Sequence, residues 1–384
     1  MASDGEQVEQ AADAGQGERA TSADPALQAY ITKGVQDIVA DALRATLKDP
    51  RESAFMARYA RAAAEASKRR DAAEERGEHV PPFLIVSITS NCNLHCAGCY
   101  ARYNQKCTDD LPADQLSGAE WERIFLEARE LGVGFILLAG GEPLLRRDVL
   151  GAAAGIPQIL FPVFTNGTLV SGEYLDLFDR ARNLIPVFSI EGARADTDAR
   201  RGVGVYDLVS AGIEGLHRKG LIFGISVTVT AKNIREVTSE EFLESLAAAG
   251  CKVVFYVEYV PVTRGTAELA PGESERVYLA ECTGELREAY PDTLFLCFPG
   301  DERASGGCIA AGRGFFHINP HGGAEPCPFS PYSDINVRDT SLKEALDSPL
   351  FVKLRKGDML MQDHGGACVL FEQRGQVEEL LGQE

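Results

Sequence analysis

Three cysteines stand within one short run, SNCNLHCAGCY over residues 90–100, with the spacing Cys92-x3-Cys96-x2-Cys99. Cysteine thiolate is the usual ligand of iron–sulfur clusters, so three thiols on one tight loop can hold three irons of a cubane. The fourth iron would then be open to a small molecule. A zinc knuckle is the competing chemistry, with His95 as its fourth ligand. A second set, Cys308, Cys327 and Cys368, lies toward the C-terminus, with Gly322 placed ahead of Cys327 as Gly-x4-Cys. The chain has ten cysteines in all. In a compartment that keeps thiols reduced, they point to metal binding or catalysis before disulfides. Cys251 and Cys282 fall in or at the end of predicted helices and read as core residues. Cys107 reads as structural, with a substrate-facing thiol as its alternative.

Other polar groups recur at the ends of apolar runs. Gly140-Gly141-Glu142-Pro143 follows one such run. The glycines would let backbone come close to a ligand, and Glu142 can accept charge-assisted hydrogen bonds from an ammonium group. Ser189 and Glu191 are two residues apart on a predicted strand and so share a face. Arg201 follows in the run DARRGVG, where its fork can take a carboxylate bidentately; adjacent Arg200 competes for that role. Thr165-Asn166-Gly167 either lines the same pocket or makes an ordinary turn.

These groups need a scaffold, and the apolar runs supply one. Strands are expected at 83–89, 135–141, 161–167, 186–192, 223–230 and 253–261, alternating with helical stretches. Six near-continuous apolar strands alternating with helices predict a parallel sheet covered on its outer face, and the order fits either a barrel or a doubly wound sheet. Such a sheet places its chemistry at the C-terminal strand ends, where Cys92 and Gly140 fall. Capping pairs mark three helix starts: Ser117 with Glu120, Thr238 with Glu241, and Ser341 with Glu344. After Pro261 the pattern breaks; one more helix is expected between Ser274 and Tyr290, followed by a Gly- and Cys-bearing stretch at 297–336. Ahead of the strands, residues 1–24 are acidic and poor in large apolar groups, the composition of a disordered tail. Apolar residues from Leu27 to Leu47 keep helical spacing, and a second helix is expected from Glu52 to about Arg76. Its Lys68-Arg69-Arg70 cluster reads as a solvated face.

Composition narrows the partners. With 38 basic and 57 acidic residues the net charge is −19, which disfavours a nucleic-acid partner. No apolar run is long enough to cross a membrane, and the N-terminal residues lack the pattern of a secretory signal. A cytoplasmic protein is expected.

The Cys92, Cys96 and Cys99 spacing after the first strand resembles the signature of the radical S-adenosylmethionine (SAM) superfamily. CNLHCAGCY looks like the maturase-type branch with a C-terminal SPASM or twitch extension. The GGEP run at 140–143 resembles that family's SAM-binding motif. Cys308-x13-Gly322-x4-Cys327 resembles the opening of the extension, and its further run of cysteines is reduced here to Cys368. One departure is Gly98, where the family commonly has an aromatic residue; Tyr100 follows Cys99 instead.

The resemblance implies a partial (β/α)6 TIM-like barrel. Its expected divisions are a helical segment over 25–80, a core at 81–290 and a cysteine-rich auxiliary region at 291–384. It implies a 4Fe–4S cluster on Cys92, Cys96 and Cys99 that reductively cleaves SAM to a 5′-deoxyadenosyl radical. Gly140, Gly141, Glu142, Ser189, Glu191 and Arg201 are the implied SAM contacts, with backbone at Val260-Pro261 near the adenine. Cys308, Cys327 and Cys368 would hold an auxiliary 4Fe–4S cluster, its fourth ligand being Cys297, Asp363, His364 or an open site. The implied substrate is a peptide, protein or cofactor precursor, and the electron donor a ferredoxin or flavodoxin. A small metabolite such as a tetrapyrrole or amino sugar is the alternative substrate. An iron–sulfur electron or cluster carrier is the alternative of another class, against which the GGEP run, Ser189 and Arg201 argue.

Overall fold

The computed structural model describes residues 50–110, 114–298, 307–362 and 368–382. The acidic tail, the periodic stretch Leu27 to Leu47, Asp363 and His364 lie outside the described residues.

Seven strands follow one another in sequence and in space: β1 Phe83–Thr89, β2 Phe135–Gly140, β3 Phe161–Thr165, β4 Leu184–Ile190, β5 Gly224–Val229, β6 Val253–Glu258 and β7 Leu294–Phe298. All neighbouring pairs among them are parallel. Six of the seven fall where the apolar runs predict them. The seventh lies where the pattern was expected to break, beyond the expected end of the core at 290. It continues the core sheet, with Val257 opposite Phe298. At the other edge, β8 His317–Ile318 pairs parallel with β1, and β9 Ala324–Glu325 returns antiparallel to β8. Among the described residues the order runs β7-β6-β5-β4-β3-β2-β1-β8-β9 without joining its ends, so the sheet is a partial TIM-like barrel.

Successive side chains on a strand point to opposite faces. Leu84, Val86, Ile88, Ile136, Leu138, Ile225 and Val227 are buried in the core. Their alternates, Leu137, Phe164, Ser189 and Phe255 among them, are half-buried and face the lumen. There the Phe164 and Phe255 rings meet edge to face with centroids 5.0 Å apart.

Helix α1, Pro50–Glu75, closes the N-terminal mouth of this barrel. Phe55, Met56 and Tyr59 bury against Leu160, Phe135, Ile185 and Ile222, all at or near strand starts. The Tyr59 hydroxyl donates to the Gly134 carbonyl at 3.0 Å, and Glu52 pairs with Arg182. Arg70 is not on a solvated face: it is buried and donates to the Gly132 carbonyl at 2.5 Å. The mouth that α1 covers lies opposite the C-terminal strand ends.

The outer helices include α2 Tyr100–Tyr103, α3 Gly118–Leu131, α4 Arg147–Ala154, α5 Gly172–Arg180, α6 Arg194–Arg201 and α7 Val205–Arg218. They continue with α8 Ile234–Val237, α9 Glu240–Ala248 and α10 Glu273–Ala289. Ser117 and Glu120 form the expected capping box of α3. A cap at Thr238 does not form. The chain breaks between α8 and α9, Ser239 takes the cap by accepting from Phe242 N–H, and the Thr238 hydroxyl turns back to the Ile234 carbonyl. C-terminal to the sheet come α11 Leu342–Leu346, capped by Ser341 and Glu344 as expected, then α12 Pro349–Lys356, α13 Val369–Glu372 and α14 Arg374–Gly382.

Candidate functional site

The cysteine loop leaves β1 at its C-terminal end and is tied down from several sides. Cys92 N–H donates to the Thr108 carbonyl at 3.0 Å, so the outgoing segment doubles back along the loop. Beyond β3, the Asn166 amide donates to Asn93 Oδ1 at 2.8 Å, and Asn93 donates to Thr168 Oγ1 at 2.8 Å. From α6, the Arg200 carbonyl accepts from Ala97 N–H at 2.8 Å, and Arg200 Nε donates to the Ala97 carbonyl at 3.2 Å. Arg102 binds the Leu94 carbonyl at 2.7 Å through Nη2. Cys92, Cys96 and Cys99 are each left half-buried.

Gly98 sits in this loop at φ +68°. A Cβ placed there would meet the Tyr259 ring and hydroxyl, the nearest atom at 2.6 Å. Tyr259 follows β6 directly and is buried. The loop is thus short of an aromatic side chain where a distant strand end delivers one. Sequence reasoning missed Tyr259, because nothing local links residue 259 to residue 98.

The thiols differ in their surroundings. The Cys107 thiol donates to the Cys92 sulfur, and this contact above all lowers the Cys92 pKa to about 6, with Arg102 and Asn166 adding to it against burial. The same contact pushes Cys107 far up, so it stays a thiol. Cys107 is buried beside Cys92, the placement expected of a structural thiol. Burial raises Cys96, and the nearby charges of Arg201 and Arg200 partly offset it.

Gly140 and Gly141 are required by packing. A Cβ on Gly141 would fall 2.0 Å from the Asn91 carbonyl oxygen, and one on Gly140 2.4 Å from that of Thr89. The glycines admit closely the backbone that leads from β1 into the cysteine loop. Glu142 is fully buried beneath them. Its Oε1 accepts from Leu144 N–H at 2.9 Å and the Thr165 hydroxyl at 2.7 Å, and its Oε2 accepts from Asn166 N–H at 2.8 Å. Burial raises its pKa to about 7 against these bonds. Both carboxylate oxygens are engaged, so Glu142 clamps the end of β2 to the end of β3. Thr165 and Asn166 are working parts of that clamp.

Glu191 holds both candidate arginines. Arg201 binds it in a fork, Nε to Oε2 at 2.6 Å and Nη2 to Oε1 at 2.7 Å, and Arg200 Nη1 reaches Oε1 at 2.5 Å. Burial works to raise the Glu191 pKa, but the two guanidiniums, Arg201 first, outweigh it and hold the carboxyl below its ordinary range. The Arg201 fork is thus closed on Glu191. Ser189 lies one strand repeat below, half-buried in the lumen and in register with Ser226. The structure gathers the cysteine loop, the glycine pair and the Glu191 arginines at one mouth of the barrel.

Among the described residues no three Cys, His, Asp or Glu side chains converge on a single-ion position. His95, the proposed zinc ligand, is 66% exposed at its side chain and pairs with Asp109. Three thiols spread along one turn, with two guanidiniums to balance negative charge, fit a polynuclear iron–sulfur group.

The second cysteine set is assembled differently. Cys308 N–H donates to the Leu360 carbonyl at 2.7 Å, and Ala311 N–H to the Pro326 carbonyl at 3.1 Å, which sets the Cys308 turn beside that of Cys327. Residues Met359–Met361 pack on α13, which Cys368 immediately precedes without a side-chain capping bond. All three cysteines are buried. On β7, Cys297 is buried with its sulfur 3.2 Å from the Thr283 hydroxyl of α10. Cys251 is a core residue as expected, its thiol bonded to the Val253 carbonyl.

Residues 86–249 match the model of the radical SAM superfamily. The chain is 29% identical over 329 residues to the AdoMet-dependent heme synthase of Methanosarcina barkeri, covering 77% of this chain and 89% of that protein. It is 28% identical over 269 residues to the mycofactocin maturase MftC of Mycobacterium tuberculosis, covering 67% and 66%. In fold it is similar to Streptococcus suis SuiB, solved with its precursor peptide SuiA, with a TM-score of 0.62 and 18% identity over 77% of this chain and 71% of that one. No helix among the described residues is long and apolar enough to cross a membrane.

Proposed function

The chain carries a radical SAM domain and is a radical SAM enzyme, and from that premise we propose that it modifies a peptide, protein or cofactor precursor. Cys92, Cys96 and Cys99 would hold the 4Fe–4S cluster, with SAM lying between the loop and the strand ends that carry Gly140, Gly141, Ser189, Glu191 and Arg201. When bound, this pair supplies a 5′-deoxyadenosyl radical, which takes hydrogen from unactivated carbon. The chain's own part is orientation and shielding. Glu142 sets the β2 and β3 ends against the loop. Glu191 keeps two guanidiniums charged beside the thiols. α1 closes the far mouth, and Phe164, Phe255 and Leu137 make the lumen apolar, which excludes water from a reactive intermediate. We place the catalytic core at 81–290 and an auxiliary cluster in 291–384 on Cys308, Cys327 and Cys368. A ferredoxin or flavodoxin would supply the electron.

The observation that carries this reading is the meeting of the three-thiol loop with the Glu191 arginines at the strand ends. Anaerobic protein reconstituted with iron and sulfide, reduced with dithionite and given SAM is expected to release 5′-deoxyadenosine. Protein that binds about four irons on this loop yet releases none overturns the reading. A second substrate reading, a tetrapyrrole, is favoured by the 329-residue likeness to a heme synthase. Faster 5′-deoxyadenosine release on adding an iron porphyrin with carboxylate side chains, and not on adding peptides, would select it.

A further inference from the structure

A buried chain of polar side chains runs along the seam between the cysteine loop and the β8–β9 hairpin. Ser87 Oγ, on β1, lies 2.8 Å from His317 Nε2. His317 Nδ1 lies 2.8 Å from Glu325 Oε2, its partner across the β8–β9 pair. Glu325 Oε1 accepts from Asn319 Nδ2 at 2.7 Å and pairs with Lys106 Nζ at 3.4 Å. Ser87 is 8% exposed, His317 4% and Glu325 1%. On the same seam the rings of Tyr100 and Phe329 meet with centroids 4.9 Å apart.

The two ends of this chain are attached to the two stems of the cysteine loop. Ser87 belongs to the strand that leads into Cys92. Lys106 belongs to the segment that leads out of Cys99 through α2 and is turned back by its own N–H bond to the Ala101 carbonyl at 2.8 Å. Two residues on, Thr108 accepts from Cys92 N–H. The hairpin therefore grips the loop on both sides, from a strand pair that also carries Cys327 two residues past Glu325.

A buried ion pair adds little net stability over an apolar pair of the same shape, but removing one partner is costly. Such a network therefore sets position more than it adds stability. We infer that Lys106, Glu325 and His317 are positioning residues for the cysteine loop, by which the C-terminal hairpin sets the geometry of the radical site. Its catalytic consequence rests on the proposed radical chemistry; its structural core does not.

The test uses the full chain as wild type, Lys106→Met, Lys106→Arg and Glu325→Gln. In metal-free protein, amide hydrogen exchange is followed over residues 90–110, with α3 and β4 as internal references. Lys106→Met and Glu325→Gln are expected to speed exchange in 90–110 about tenfold while the references hold, and Lys106→Arg to restore protection. After reconstitution, the same two variants are expected to keep about four irons on the loop yet form 5′-deoxyadenosine about tenfold more slowly. Lys106 is partly exposed at the surface, so its variants keep the test open if Glu325→Gln does not fold. Unchanged exchange in Lys106→Met overturns the inference. So does faster exchange with an unchanged rate, since the network would then be structural only. Faster exchange in a protein whose wild type cleaves no SAM supports the positioning of the loop while sinking the radical reading.

Discussion

Cys92, Cys96 and Cys99 lie on one turn, half-buried, at the open mouth of the barrel, while Cys308, Cys327 and Cys368 come from three separate turns and are all buried. The first set has its thiols side by side because of chain geometry alone. What packing adds there is orientation, through bonds from Asn166, Arg200 and Thr108. The second set has no local reason to meet, and core packing brings its turns together. In the proposed reading the half-buried set would exchange a small ligand with solvent, while the buried set would shield a group that stays bound.

The sharpest test of this contrast is to delete each set in turn. Replacing Cys92, Cys96 and Cys99 by Ala is expected to abolish 5′-deoxyadenosine formation, because an iron loses its thiolate. Replacing Cys308, Cys327 and Cys368 is expected to lower bound iron from about eight to about four per chain while slow SAM cleavage persists. Equal iron in wild type and the second variant, measured on protein that cleaves SAM, would remove the auxiliary cluster.

A next effect concerns the arginines that serve only the exposed set. Arg201→Ala leaves the buried Glu191 with Arg200 alone, so it should cost less than the roughly 3–5 kcal/mol of a buried pair broken completely. Arg200 is more exposed, so Arg200→Ala is expected to cost less in urea unfolding. SAM affinity in Arg201→Ala should also fall, by roughly ten- to hundredfold if the guanidinium contributes one charge-assisted bond. The pH sign follows from Glu191, whose folded pKa lies below its ordinary 4.5. Its contribution is present above that value and is lost as pH falls through the folded pKa. In Arg201→Ala the folded pKa moves up toward the ordinary value, so this acid-side loss should shrink; an acid limb identical to wild type would mean that Arg200 carries the pairing.

Thiol chemistry sharpens the same contrast more gently. In metal-free protein, iodoacetamide is expected to modify Cys92 before Cys308, Cys327 or Cys368, because the thiolate is the nucleophile and Cys92 titrates at about 6. The Cys92 rate should hold near neutral pH and drop below about pH 6, read by peptide mass mapping. Faster labelling of the buried set would reverse the assignment of shielding.

The smallest effect lies at Gly98. With φ +68° and the Tyr259 ring against it, Gly98→Ala should cost about 1–3 kcal/mol. A Tyr259→Ala background should recover part of that cost; equal cost in both backgrounds would leave only the backbone term.

Much of the molecule was legible from residues 83–261. Apolar runs fell on six of the seven parallel strands, because a strand buried on both faces must be nearly continuous in apolar side chains. The Cys92 loop was legible because its spacing is local. β7 was not: LFLCF has the same apolar pattern, but the stretch 259–272 between β6 and α10 holds no strand or α-helix and breaks the alternation ahead of it. Arg70 read as a solvated charge until the close approach of α1 to Gly132 gave its guanidinium a carbonyl.

Spacing along the chain thus determined the three-thiol turn, the places of six strands and the two capped helix starts at Ser117 and Ser341, because each depends on residues a few positions apart. Only the tertiary structure decided that Glu142 binds β3 backbone, that Arg201 closes on Glu191, that Tyr259 stands beside Gly98 and that His317 joins Ser87 to Glu325. In each of these a buried polar or aromatic group must find its partner from a distant segment, and which segment comes within 3 Å is settled by packing.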